Sequence, residues 1–124
     1  MIDHVSVAVR DIAAAARFYE TLLATIEMAK LEDRSTTVGF GKTYPEFWIN
    51  LRSGDIQTSS GAHICFRART PLMVDAFHAA ALAAGGSSDG MPGLRPHHGE
   101  GYYAAFVRDP DGNRVEAVTF VKSK

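Results

Sequence analysis

The stretch Ala105–Glu116 reads Ala-Phe-Val-Arg-Asp-Pro-Asp-Gly-Asn-Arg-Val-Glu. Its Pro110 and Gly112 stand at positions that suit a tight reversal of the chain. The residues on both sides alternate between apolar and polar types, which predicts strands over about 102–108 and 113–120. This segment therefore predicts a strand–turn–strand unit in the last quarter of the sequence.

The residues before this unit predict a strand, a helix and a loop. His63-Ile-Cys-Phe-Arg-Ala alternates as a strand does, over 63–68. Thr70 followed by Pro71 is typical of a helix start, and the Ala-rich run that follows continues to residue 84 before Gly85 and Gly86 end it. Residues 87–101 are rich in Gly, Pro and His and predict a loop, in the place where the repeat described below requires a strand.

The first half of the sequence has the same order of patterns. Valines at every second position of residues 3–9 predict a strand, and Asp11 is the predicted N-cap of a helix over 12–23. Further alternating segments predict strands over 25–31, 35–41 and 46–51. Small and polar residues then predict a linker over about 53–61.

The two halves form an internal repeat. One shift of 59 residues aligns three pairs, which are His4 with His63, Phe18 with Phe77, and Leu23 with Leu82. Each half is predicted to be a strand–helix–strand–strand–strand module. The sequence therefore predicts an α+β fold with a single domain over 1–124, made of two βαβββ modules at about 1–54 and 62–121.

Composition narrows the classes of function. The chain has 124 residues and a formal net charge of −1, with no basic run that would attract nucleic acid or an anionic membrane. Cys65 is the single cysteine, which excludes an intrachain disulfide and fits a reducing compartment. The N-terminal residues do not resemble a signal peptide, and no apolar run predicts a transmembrane span. We expect a cytoplasmic protein that binds neither nucleic acid nor membranes.

Strand alternation places four polar side chains on the sheet faces turned away from the helices: His4, Asn50, His63 and Glu116. Two imidazoles and one carboxylate form a recognised ligand set for Fe, Mn, Zn or Ni with open positions for substrate. If the two modules curl around a common cavity, these side chains converge there.

Three segments carry a resemblance to a known superfamily: His-Val-Ser-Val-Ala-Val-Arg-Asp from residue 4, Gly-Ala-His-Ile around His63, and Ala105–Glu116. Together they resemble the vicinal-oxygen-chelate superfamily, which includes glyoxalases, bleomycin-resistance proteins and extradiol dioxygenases. The resemblance runs over nearly the full chain. It implies two βαβββ modules that form an incomplete barrel, and a homodimer that completes the site.

The resemblance also implies a site. His4, His63 and Glu116 match three of the family's four usual metal-ligand positions, so one divalent metal per site (Fe, Mn, Ni or Zn) is expected to chelate oxygens of a small-molecule substrate. At the fourth position glyoxalase I has a carboxylate that serves as ligand and base, whereas this chain has Asn50, which argues against the glyoxalase I reaction.

Small three-ligand members such as fosfomycin-resistance proteins are similar to this chain in having a hydroxyl at the position of Ser6 and a Trp at that of Trp48, although Phe106 stands where they have a tyrosine. The expected substrate pocket comprises Ser6, Trp48, Asn50 and Tyr103. The reaction implied is that of a metal-dependent lyase, transferase or dioxygenase, and the sequence does not choose among them.

The alternative is a metal-free protein of the bleomycin-resistance type, which binds a small molecule and performs no chemistry. Two further side chains receive structural predictions. Cys65 is expected to be a buried apolar residue, and His78 is expected on the surface of the second helix.

Overall fold

The first module folds as a strand, a helix and three strands in the computed structural model, which describes residues 1–122 and so omits the last two residues of the predicted domain. Its elements, in chain order, are β1 (Val5–Val9), α1 (Ile12–Ala24), β2 (Ala29–Asp33), β3 (Thr37–Gly41) and β4 (Phe47–Leu51). The strand order in the sheet is β1-β4-β3-β2. β1 runs parallel to β4, and the other neighbours are antiparallel.

The second module repeats this arrangement. Its elements are β5 (Ile64–Arg67), α2 (Pro71–Ala83), β6 (Ser87–Leu94), β7 (Tyr102–Arg108) and β8 (Arg114–Phe120), with one turn of 3-10 helix at Pro96–His98. The strand order is β5-β8-β7-β6, again with one parallel pair, between β5 and β8. Within residues 1–122, neither sheet closes on itself. The predicted α+β fold of two βαβββ modules is therefore confirmed.

Side-chain caps fix where both helices begin. The Asp11 side chain accepts a hydrogen bond from the Ala14 amide at 3.0 Å, and the Thr70 side chain accepts one from the Met73 amide at 3.2 Å. Each bond satisfies one of the amides that the first helical turn leaves without a partner. Between residues 1 and 122, no helix is long and apolar enough to cross a membrane.

The core lies on the helix side of both sheets and is continuous between the modules. Aromatic rings connect the two halves: Tyr19 lies 4.9 Å from Phe47, Phe47 lies 5.2 Å from Phe66, and Phe66 lies 6.5 Å from Phe77, all measured between ring centroids. The two helices also contact each other. Because the helix-side faces meet in this shared core, the opposite faces of both sheets are left open.

The Asp109–Asn113 turn ties the second module to the first. The Asp109 carboxylate, only 4% exposed, accepts hydrogen bonds from the Tyr19 hydroxyl at 2.6 Å, the Asp111 amide at 2.9 Å and the Asn113 amide at 2.8 Å. The Asn113 side-chain amide donates to Asp109 at 2.8 Å and to the Ala8 carbonyl of β1 at 2.9 Å. Burial raises the pKa of Asp109, and these hydrogen bonds oppose that shift.

The prediction of a loop over 87–101 is wrong for its first half, because residues 87–94 form strand β6. β6 lies at the edge of the sheet and pairs only with β7, with register shifts between Ser88 and Gly90 and between Gly90 and Gly93. Edge position and bulges are what allow Pro and Gly in a strand. The repeat, rather than the local composition, gave the correct expectation here.

Two smaller predictions are also corrected. The strand predicted over 25–31 begins later, at Ala29, because residues 25–27 form the turn that ends α1. His78 is not on the surface: it is 7% exposed, and its Nε2 lies 2.8 Å from the Ser88 hydroxyl of β6. Burial lowers the pKa of His78. The strand β6, which the sequence did not predict locally, covers this face of α2.

Gly86, between α2 and β6, provides a test of this packing. A Cβ atom there would lie 2.6 Å from the Arg108 carbonyl oxygen and 3.0 Å from the Phe18 ring. We therefore expect Gly86→Ala to lower the free energy of unfolding by about 1–3 kcal/mol, as overpacking does. Gly61→Ala is the matched control, since a Cβ there meets nothing within 4 Å. Denaturant unfolding that gave equal values for the two variants would contradict this packing.

Candidate metal centre

Glu116 is the buried centre of the open face of the second module. It lies in β8 opposite Cys65 of β5 and Phe106 of β7, and it is 1% exposed. Its Oε1 lies 2.9 Å from Nε2 of His63, and the Tyr102 hydroxyl donates to its Oε2. A carboxylate and an imidazole nitrogen thus meet at one point, with the His63 side chain about half exposed (48%).

Cys65 and Tyr102 surround the same carboxylate. Desolvation, followed by the charge of Glu116, raises the pKa of the Cys65 thiol to about 12. Desolvation and the hydrogen bond to Glu116 also raise the pKa of Tyr102. The prediction that Cys65 is buried is wrong, because the side chain is exposed on the open face. The reason is its place in the alternation of β5, where Phe66 faces the core instead.

His4 belongs to the first module and has a partner of its own. Its Nδ1 lies 2.7 Å from Oδ1 of Asp3, and the Tyr44 hydroxyl also donates to Asp3, at 3.0 Å. A carboxylate that accepts from one ring nitrogen fixes the tautomer and leaves the other nitrogen free to bind. This is the usual outer-shell partner of a metal-binding histidine, so the donor chemistry of His4 fits a metal.

The structure brings two of the three predicted ligands within hydrogen-bond distance. His4 and His63 line one cleft between the modules, with a volume of about 540 Å³. Nowhere in residues 1–122, however, do three side chains of His, Cys, Asp or Glu gather closely enough to hold a metal. The chain by itself therefore presents two parts of a candidate site: His63 with Glu116, and His4 with its partner Asp3.

Three of the four predicted pocket residues share a cavity with His4. Ser6, Trp48 and Asn50 line this cavity, whose volume is about 320 Å³, on the open face of the first module. The Thr37 hydroxyl donates to Oδ1 of Asn50 at 2.5 Å. Asn50 is thus held as a neutral, hydrogen-bonded group at the position where the resemblance places a carboxylate.

The fourth, Tyr103, lies on the helix side of its sheet. Its hydroxyl donates to Asp75 of α2 at 2.6 Å, and its ring packs against the core. Tyr102 contacts the site instead. Register identifies this residue: Phe106 is opposite Glu116, so Tyr102, four positions earlier on β7, shares that face. Strand alternation applied to β7 therefore places Tyr102, and not Tyr103, on the face of Glu116.

Comparisons with known proteins agree with this architecture. The sequence profile of the Glyoxalase/Bleomycin resistance protein/Dioxygenase superfamily matches residues 1–117. A glyoxalase/bleomycin resistance protein from Albidiferax ferrireducens T118 is 32% identical, with a TM-score of 0.85 over 94% of this chain and 96% of that chain.

Two further relatives are more distant. A virulence protein of Salmonella typhimurium is 29% identical over 97% of this chain and 84% of its own length. The fosfomycin resistance protein FosX from Mesorhizobium loti shares the fold at 17% identity, with a TM-score of 0.71 over 98% of this chain and 92% of that chain. Because the profile match spans nearly the whole sequence, the chain belongs to the glyoxalase/bleomycin resistance protein/dioxygenase superfamily.

Proposed function

We propose that this protein is a divalent-metal-dependent enzyme that acts on a small molecule, with His4, His63 and Glu116 as the metal ligands. The observation that carries the proposal is the contact between His63 and Glu116 at 2.9 Å. A buried carboxylate next to a half-exposed imidazole leaves the donor atoms facing an open space, which suits Fe, Mn, Ni or Zn. When bound, such a metal polarises substrate oxygens and stabilises negative charge that develops on them.

The residues around the ligands support this role. The Tyr102 hydroxyl donates to Oε2 of Glu116, whereas Oε1 of Glu116 contacts His63. Asp3 orients His4 through its Nδ1. Outer-shell partners of this kind orient the ligands and raise metal affinity by about 10–100-fold. His4 and Glu116 thus each have a partner from outside the proposed ligand set, Asp3 and Tyr102.

We further propose that the site forms between two protomers, with His4 of one facing His63 and Glu116 of the other. The helix sides of both sheets are used in the shared core of one chain, which leaves the opposite faces, where His4, His63 and Cys65 are exposed, for contact with a second chain. Phe120, on the same face of β8 as Glu116, is 44% exposed. A two-fold dimer would cover both open faces and form two equal sites.

The reaction is proposed to differ from that of glyoxalase I. That route needs a carboxylate base at the fourth position, and the amide of Asn50, bound to Thr37, cannot accept a proton in that way. The remaining reaction types are those of a lyase, transferase or dioxygenase. A metal-free binding protein is the alternative, and failure of the wild type to bind divalent metals would favour it.

The shared site is tested by mixing two defective variants. His4→Ala and His63→Ala should each hold no tightly bound metal, because each homodimer lacks one ligand at both sites. After the two are unfolded together and refolded, half of the dimers should be mixed and carry one intact site, or about one metal per four chains. Zinc content measured by mass spectrometry checks this. A mixture as empty as the separate variants would contradict a site shared between protomers.

A further inference from the structure

We propose that the open face of the first module contains an oxyanion-binding subsite centred on Arg34, which receives a carboxylate or phosphonate group of the substrate. The inference rests on the proposed function, because the cavity that Arg34 lines also contains His4. What the inference adds is the class of substrate. The substrate would be a small molecule that carries metal-binding oxygens and, apart from them, a negatively charged group.

The cavity of about 320 Å³ presents hydrogen-bond donors. The residues that line it include His4, Ser6, Arg34, Thr37, Trp48 and Asn50. None of the described residues that line it is Asp or Glu. Among the acids near it, Asp3 accepts hydrogen bonds from His4 and Tyr44. Glu32 lies 3.9 Å from Nε of Arg34. An anion entering this cavity therefore meets one cation and neutral donors in its lining.

Arg34 is oriented without being neutralised. Its guanidinium carbon lies 5.2 Å from the centroid of the Trp48 ring, in cation–π contact. Its nearest ion-pair partner is Glu32, at 3.9 Å and through a single Nε contact. Arg69, by contrast, is paired with a carboxylate through two hydrogen bonds. Its guanidinium donates to both carboxylate oxygens of Glu27, at 2.5 and 2.8 Å. The guanidinium fork of Arg34 remains available for a bidentate oxyanion.

Trp48 is a fixed platform for this cation. Its Nε1 donates to the Pro45 carbonyl at 3.1 Å. Its ring lies so close to Gly39 that a Cβ there would be 3.0 Å from two ring atoms. The ring is therefore held at its Nε1 edge and on one side, and it offers a fixed surface for the guanidinium of Arg34.

Asn50 adds a second donor. Its Oδ1 accepts from Thr37 at 2.5 Å, so its Nδ2 is the polar atom of this lining residue that can donate to a ligand. At this position the resemblance places a carboxylate, and this chain has an amide. The amide is not a base, and it also carries no negative charge. The same residue that argues against the glyoxalase I reaction thus makes the cavity suitable for an anionic substrate.

The first test uses metal-free protein and the fluorescence of Trp48, the only tryptophan in the chain. Methylphosphonate is the probe, and binding is followed as a saturable change in Trp48 emission. We expect Arg34→Ala to weaken the apparent affinity at least tenfold or so, since it removes a charge-assisted bidentate contact. The affinity of Arg34→Lys should lie between those of the wild type and Arg34→Ala, because lysine keeps the charge and loses the bidentate geometry of the guanidinium. Arg52→Ala, an exposed arginine outside this cavity, should match the wild type.

The second test uses zinc-loaded protein and calorimetry with two probes that differ by one carboxylate group. Catechol offers two adjacent oxygens, and 3,4-dihydroxybenzoate adds a carboxylate. Wild type should prefer the charged probe by roughly tenfold or more, and Arg34→Ala should lose the preference while still binding catechol. If zinc does not bind, the proposed function fails, and the methylphosphonate titration still decides on Arg34. Equal methylphosphonate affinity in wild type and Arg34→Ala, or no emission change in wild type, would overturn the subsite.

Discussion

Asp109→Ala should lower the free energy of unfolding by about 3–5 kcal/mol, the cost of breaking a buried network of hydrogen bonds. The variant removes the acceptor of the Tyr19 hydroxyl, a group that is fully buried and hydrogen-bonds Asp109 at 2.6 Å. It also removes the acceptor of two backbone amides in the Asp109–Asn113 turn. Leaving buried donors unpaired costs about 1–3 kcal/mol each.

Tyr19→Phe is the matched control for this prediction. It deletes only the hydroxyl and leaves the two amides bonded to Asp109, so the expected loss is smaller, about 1–2 kcal/mol. Urea unfolding followed by circular dichroism measures both variants. A loss under about 1 kcal/mol for Asp109→Ala would mean that the turn does not tie the two modules together.

Glu116→Gln should abolish tight metal binding while leaving the metal-free protein folded. The amide has nearly the same size as the carboxylate, and it can still accept from Tyr102. It lacks the charge that a divalent metal needs, so the affinity for zinc should fall by more than roughly 100-fold, beyond the usual cost of losing an outer-shell partner.

Thermal unfolding with and without zinc separates these effects. Ligand binding to the native state raises the midpoint, so wild type should show a zinc-dependent increase that Glu116→Gln lacks. Thr119→Val, a substitution at a buried position of the same strand that takes no part in the proposed site, should retain the increase. An equal increase in wild type and Glu116→Gln would show that zinc binds elsewhere.

Much of the fold follows from strand alternation and the repeat. The Asp109–Asn113 turn was predictable because its residues make the local hydrogen bonds that form it. β1 pairs with the distant β4, and it was predictable because its valines alternate as a strand with one face toward a core requires. β6 was missed locally because its Gly and Pro residues are tolerated through pairing with β7 on one side only, a tertiary effect that composition does not reveal. His78 was assigned to the surface for the same reason, since β6 covers it.

The candidate site was predictable in part. Alternation placed His63 and Glu116 on one face, and they lie 2.9 Å apart. Alternation does not say how the two modules face each other, because that depends on the aromatic core from Tyr19 to Phe77. The position of His4 relative to Glu116 therefore could not be derived from one sequence. For the tyrosines of β7 the sequence held more information: alternation from Phe106, which is opposite Glu116, places Tyr102 rather than Tyr103 on the face of Glu116.

The most direct test of the account is the metal content of the purified, tag-free protein, measured by mass spectrometry for wild type and for His63→Ala. We expect about one tightly held Fe, Mn, Ni or Zn ion per chain in wild type and its loss in His63→Ala. If neither protein binds any of these metals when they are supplied, the site of His4, His63 and Glu116 is wrong, and the metal-free binding protein becomes the better description.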